Sequence, residues 1–253
     1  MADRHTYASA DDLRDYLAGT AYSSGWTSDG ATIRRVLETA SRRIDNYCGG
    51  GVFGVKTETR SYDMGTGTLI QSPQFLTIGG GTEASLQSTN GYAGIIPLDA
   101  WLVSATTVTS YKQTARTESE TLAEGVANDY LLMPYNESPK TILKLNQDSS
   151  KGFYSGQQTL TVLGSWGYTN ETEQITDLNG AVSSTTATTV AVTSATDLSP
   201  AETILVEAEQ MYITSISSNN LTVERGVNGT TSATQSDEDA VNTFIYPVEI
   251  AQA

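Results

Sequence analysis

The residues of this chain that could do chemistry are few and scattered. His5 is the only histidine and Cys48 the only cysteine. A Ser-His-Asp relay, a Cys-His pair or a His-based zinc site each needs an imidazole held beside its partners. His5 lies in the stretch MADRHTYASADD, which reads as a mobile, polar tail with no leader-like apolar run. Carboxylates can be paired, Glu118 with Glu120 and Glu207 with Glu209, and at i, i+2 on a strand they share a face. Nothing in the sequence buries them to split their pKa values, so they read as solvated edges and not as a glycosidase dyad. The run Asp237, Glu238, Asp239 lacks the D-x-[DN]-x-[DN]-G…E spacing of a calcium loop.

The most site-like stretch is TVERGVNGTTSATQSDEDAV, residues 222–241. A phosphate cradle needs glycines, a lysine and a Ser/Thr that opens a helix. Here there is no lysine and no apolar helix, and the acids at 237–239 would repel phosphate. Asn228-Gly229 is a tight-turn pair because both residues tolerate φ > 0. Arg225 is the one basic residue among twelve acidic ones in residues 170–253. Its expected task is to pair with a nearby carboxylate or to tie loop carbonyls with its five donors. Arg225, Gly226, Asn228 and Gly229 therefore read as a structural turn. Catalytic residues, metal ligands and cofactor are all expected to be none, and the chain reads as a non-enzyme.

The elements around these residues fall into segments of different period. Ser9 caps a first helix with Asp11 and Asp12 in its first turn, and Gly19 ends it. A second helix carries Ile33, Val36, Leu37, Ala40, Ile44, Tyr47 and Cys48 on a stripe about 120° wide, with Gly49-Gly50-Gly51 as the stop. This reading makes Cys48 a small core residue. It sets Arg34, Arg35 and Arg42 on the outer side with Glu38 and Asp45, and Arg34, Arg35, Arg42 and Arg43 are candidate contacts to another subunit or a partner.

Residues 52–174 are β-rich. Strand-like runs occur at 55–63, 68–78, 101–111, 128–139 and 157–168, and a Gly/Ser/Thr-rich loop at 79–94. Residues 175–245 alternate as Val190/Val192, Ile204/Val206, Met211/Ile213 and Leu221/Val223, with a fifth run at 241–245 and a turn signal in SSNN. The expected fold class is α+β. It comprises a helical hairpin over 1–51, a β-rich domain over 52–174, an inserted small all-β barrel or sandwich over 175–245, and the start of a C-terminal helix over 246–253.

Fourteen Lys and Arg stand against 29 Asp and Glu, for a net charge of −15. Such a surface does not hold nucleic acid through phosphate neutralisation, but it can serve as a wall that DNA slides past. No run approaches the ~18 apolar residues of a membrane span.

Several stretches carry a family resemblance. Ala40, Ser41, Ile44, Asp45 and Gly49 follow A-S-x-x-I-D-x-x-x-G, and Tyr62-Asp63 close the next strand. NDYLLMP at 128–134, LTVLGSWGY at 160–168, the stretch 204–233 and YPVEIAQA at 246–253 accompany them. Together they resemble tailed-bacteriophage head-to-tail connector (adaptor) proteins, with 204–233 similar to a β module inserted in some of them. The resemblance implies a structural virion protein of the phage neck, assembled in the host cytoplasm. It also implies a homo-oligomer, dodecameric by analogy, in a ring below the portal protein and joined to a stopper or tail-completion protein. DNA would pass through this ring at genome ejection without sequence-specific binding, and no membrane would be involved. Asp237, Glu238 and Asp239 are then candidate channel-lining acids. The alternative is a phage tail or receptor-binding β protein, which the Thr/Ser/Asn-rich strands would suit and the helical N-terminus would not.

Overall fold

A computed structural model describes residues 4–18, 30–48, 52–64, 94–112 and 115–246. The expected strand at 68–78, nearly all of the loop at 79–94 and residues 247–253 lie outside the described residues. The α+β expectation is corrected by the architecture. The described residues are mostly β and form two antiparallel sheets of six strands each with two short helices, where a helical hairpin and an inserted small barrel or sandwich were expected. The chain divides into two compact units, one made of 1–57 with 167–253 and the other of 58–166.

In the interrupted unit, α1 (Ala10–Ala18) and α2 (Gly30–Tyr47) pack on strands of the late sequence. Ser9 caps α1. Its hydroxyl accepts from the Asp12 amide at 3.0 Å and Asp12 accepts from the Ser9 amide at 2.8 Å, which is the reciprocal box that satisfies orphan donors. Ala10, Ile33 and Leu37 then pack with Ala201, Tyr212 and Val227. The helices depend on this contact, because amphipathic helices of this length gain most of their stability from packing.

The sheet of this unit has the strands β7 (Thr172–Asp177), β8 (Thr189–Ala191), β9 (Thr203–Val206), β10 (Glu209–Ser217), β11 (Asn220–Glu224) and β12 (Ala240–Phe244), in the order β7-β12-β9-β10-β11-β8. Two-residue turns close β9-β10, with Val206 opposite Glu209, and β10-β11, with Ser217 opposite Asn220. Just beyond the two edge strands, Leu178 and Val192 form one isolated antiparallel bridge. Val190, Val192, Ile204, Val206, Met211, Ile213, Leu221 and Val241 are wholly buried in its core. Each such side chain stabilises by roughly 1.5–3 kcal/mol relative to exposure.

The continuous unit has β1 (Lys56–Met64), β2 (Ile95–Tyr111), β3 (Ser119–Leu122), β4 (Tyr130–Met133), β5 (Lys140–Leu145) and β6 (Gly156–Trp166). Their order is β1-β6-β2-β5-β4, with β3 pairing the far part of β2. The 17-residue β2 shifts register against both β5 and β6, and these irregularities let one strand serve three partners. Leu102, Val108, Leu143, Phe153, Leu160, Val162 and Trp166 form its core.

Candidate functional site

The loop at 222–241 is held together by a buried ion pair. Arg225 donates from Nε to Glu209 Oε1 at 2.7 Å and from Nη2 to Oε2 at 2.6 Å, and the two side chains are 5% and 1% exposed. Arg225 Nη1 also donates to the carbonyls of Ser184 and Ala187. Glu209 accepts in addition from the Gly226 and Ala233 amides, each at 3.0 Å, and from Gln235 Nε2 at 3.2 Å. Burial alone would raise the Glu209 carboxyl, but Arg225 and the two amides outweigh it and hold the carboxyl below its usual range.

Asn228, at φ 54°, accepts the Arg4 amide at 2.7 Å and donates to Gln210 Oε1 at 2.8 Å, while its carbonyl accepts the Thr57 amide. Gly229, at φ +83°, passes so close that a Cβ there would lie 1.9 Å from the Thr57 carbonyl oxygen. Gly226 has φ +58°. Every donor of the Arg225 fork is aimed at protein atoms, so a ligand would have to displace a buried carboxylate to reach it.

Asp237, Glu238 and Asp239 shape a turn. Asp237 Oδ1 accepts the Gly180 amide and Asp239 Oδ2 the Ser236 amide, each at 2.6 Å. Glu238, at φ 66°, is exposed.

The four arginines of α2 are separated by their environments. Arg42 turns inward. It donates from Nη2 to the His5 carbonyl at 2.8 Å, pairs with Asp45 at 3.1 Å and lies over the Tyr7 ring. Arg34 is half-buried, and Arg35 and Arg43 are exposed. The face that the helix buries corrects the one expected from its apolar stripe. Ile33, Leu37, Ser41 and Asp45 are buried, whereas Val36 is 45% exposed, Tyr47 is 93% exposed, and Ala40 and Cys48 are also exposed. The reason is a polar contact distant in sequence. The Tyr7 hydroxyl donates to Asp45, the Ser41 hydroxyl accepts the Tyr7 amide at 3.1 Å, and these partners draw a polar edge of the helix inward. Val36, Ala40, Arg43 and Tyr47 are left along the outside at spacings of four, three and four, the pattern of a helix-packing seam.

The N-terminal stretch was expected to be mobile, yet from Arg4 onward it is built into the unit. His5 is wholly buried, with Nε2 2.6 Å from the Val55 carbonyl and Nδ1 2.7 Å from the Tyr246 hydroxyl. A carbonyl can only accept, so Nε2 carries a proton and donates, while Nδ1 shares a hydrogen bond with the Tyr246 hydroxyl. With both ring nitrogens engaged and no solvent access, His5 is a structural histidine.

Beside it, Thr6, Ser9, Asp12, Glu202, Thr203 and Tyr246 line a cleft of about 200 Å³. Burial pushes the Glu202 carboxyl up to about 7. The Ser199 amide opposes this, and the charges of Asp12 and Asp11 add to it. His5 carries no local sequence signal because its partners lie far along the chain, and Glu202 is set both by the nearby Ser199 amide and by the distant Asp11 and Asp12. Among the described residues, no group of three or more His, Cys, Asp or Glu side chains could hold a metal. No described helix is long and apolar enough to cross a membrane. No family model, curated protein or solved structure matches the chain.

Proposed function

We propose that this chain is a structural subunit of a tailed-phage neck. In this reading it is a head-to-tail connector whose copies form a ring below the portal, join it to the stopper or tail, and surround the path of the DNA. The observation that carries the reading is the outward seam of α2. Val36 and Tyr47 are large side chains left in solvent on a well-packed helix, flanked by the exposed Arg35 and Arg43. A rigid helix that presents apolar and cationic side chains together suits a protein contact, since anchors of this kind dominate interfaces. The resemblance at residues 40–49, 62–63, 128–134 and 160–168 supplies the choice of assembly, and the dodecameric count stays an analogy.

The charge distribution supports the same reading. The only basic side chain of residues 170–253 is consumed in the Arg225–Glu209 pair, so the charges this stretch shows to solvent are negative. Such a surface repels the phosphate backbone and lets DNA pass without adhering. Asp237, Glu238 and Asp239 are assigned to that wall.

Electron microscopy of the chain mixed with the portal protein of the same phage tests the proposal. Ring density seated on the portal is the expected result, and a bare portal beside single copies would overturn it. A ring map with residues 237–239 on its outer surface would remove the channel assignment alone.

A further inference from the structure

The ring reading leaves open which surfaces of neighbouring copies meet. Two exposed patches of the interrupted unit have complementary chemistry. The first is the α2 seam, with Val36 and Tyr47 as apolar contacts, Arg43 as the cation on its line and Arg35 as a cation at its margin. Among the described residues, neither arginine forms an ion pair.

The second patch lies where β7 begins and β12 ends. Ile245 is 44% exposed, and its amide donates to the Glu171 carbonyl at 3.0 Å, continuing the ladder in which Phe244 faces Thr172 and Thr243 faces Glu173. Directly opposed residues of an antiparallel pair project to the same face, so Ile245 and Glu171 stand side by side, with Glu173 next along. Glu171 and Glu173 are exposed and form no ion pair among the described residues. From Thr172 to Ile175 the outer edge of β7 has no strand partner among the described residues, the kind of edge that proteins cover with a helix or loop.

We infer that the α2 seam of one copy docks on the Glu171–Glu173–Ile245 patch of the next. In this contact Arg43 meets Glu171 and Glu173 and the neighbouring Tyr47 meets Ile245, with Arg35 and Val36 further along the helix. The inference rests on the connector reading and gives its ring a specific joint. A second copy is the occupant because the charges match. The late sequence is a source of unopposed carboxylates, and α2 carries arginines that face outward. The two patches differ, so the contact is head-to-tail, which closes into a ring when the rotation allows. It also overcomes a general repulsion, since copies with a net charge of −15 otherwise push one another apart.

Complementation between two variants of the full chain tests the joint, with assembly followed by sedimentation velocity alone and with the portal. Arg43→Glu should weaken assembly on the order of tenfold in the concentration required. Glu171→Arg with Glu173→Arg in one chain should do the same. A one-to-one mixture of the two variants should assemble again. Alternating copies then set the introduced carboxylate of one variant beside the introduced guanidinium groups of the other at one joint, and native partners at the next. Tyr47→Ser, which changes no charge, should weaken assembly by about threefold or more, in a variant whose folding no charge reversal can disturb.

If the ring forms and tolerates both reversals, or if the two defective variants stay apart when mixed, the joint is overturned and the ring reading stands. If the wild-type chain stays single in both settings, the connector reading itself falls.

Discussion

The two six-stranded sheets reach stability by different routes. The sheet of the interrupted unit has strands of three to nine residues, whereas the other is organised on the 17-residue β2, which pairs with three neighbours. Short strands supply few ladder bonds, and the loops between them leave amides and carbonyls that must be met elsewhere. In the interrupted unit, Glu209 and Arg225 meet them from inside the protein, nearly free of solvent. In the continuous unit, Asp129 does comparable work nearer the surface. It accepts the Ala123 amide and the Lys151 ammonium, each at 2.9 Å, and the Ser149 hydroxyl at 2.7 Å. Lys151 is 36% exposed where Arg225 is 5%. A loop set that depends on a wholly buried charge pair is intolerant of its loss, and one tied by a pair whose cation is partly exposed loses less when the pair is cut.

Substitutions should order themselves by this contrast, and hydrogen exchange of peptides from each sheet resolves them unit by unit. The largest loss is expected for Glu209→Ala, which strands a buried guanidinium and should cost about 3–5 kcal/mol, read in the peptides of β10 and β12. Unchanged protection there would dissolve the distinction between the sheets. Gly229→Ala comes next, because the backbone at φ +83° and the contact with the Thr57 carbonyl both oppose a side chain. A loss of about 2 kcal/mol or more by denaturant titration is expected. Asp129→Ala, with its partners closer to water, should cost about 1–3 kcal/mol and be confined to β3, β4 and β5.

The pH responses should run in opposite directions. Glu202 has a carboxyl pushed up to about 7 from 4.5, so the folded unit holds its proton more tightly than the unfolded chain does. Its contribution is fully present below pH 4.5 and is lost as pH rises towards 7, an effect on the order of 2 kcal/mol that Glu202→Gln should abolish. Asp129 behaves in the opposite sense. Burial raises its carboxyl, but Lys151, the Ala123 amide and Ser149 outweigh burial and hold it below 3.8. The stability it contributes is therefore present above that value and lost in stronger acid. If the interrupted unit grows more stable between pH 4.5 and 7 in the native chain, the assignment of Glu202 is wrong. The smallest effect is expected for Arg43→Ala, within about 0.5 kcal/mol in a single copy by thermal unfolding.

The sequence exposed much of this architecture and little of its polar interior. Val190, Ile204, Met211 and Leu221 with their i+2 partners marked strands because alternation is a local property of the chain. Asn228-Gly229 marked a turn for the same reason, since tolerance of positive φ belongs to the residues themselves. The inward face of α2 was hidden, because Ser41 and Asp45 are buried only by virtue of Tyr7, and no local pattern announces a partner more than thirty residues away. His5 was misread on the same grounds, as its partners are Val55 and Tyr246. The fold class went astray at the same place. The helices looked like a segment of their own, whereas their inner face is completed by Ala201, Tyr212 and Val227.

The split composition of the interrupted unit has a consequence for biosynthesis. Residues 58–166 are contiguous and can condense as soon as they leave the ribosome, since domains generally fold as units during translation. The helices are translated earlier but must wait, because the strands that cover their inner face and the β7–β12 corner do not yet exist. A half-made polypeptide therefore has no finished β7–β12 corner, and the proposed joint between copies can form only after β12 has been translated.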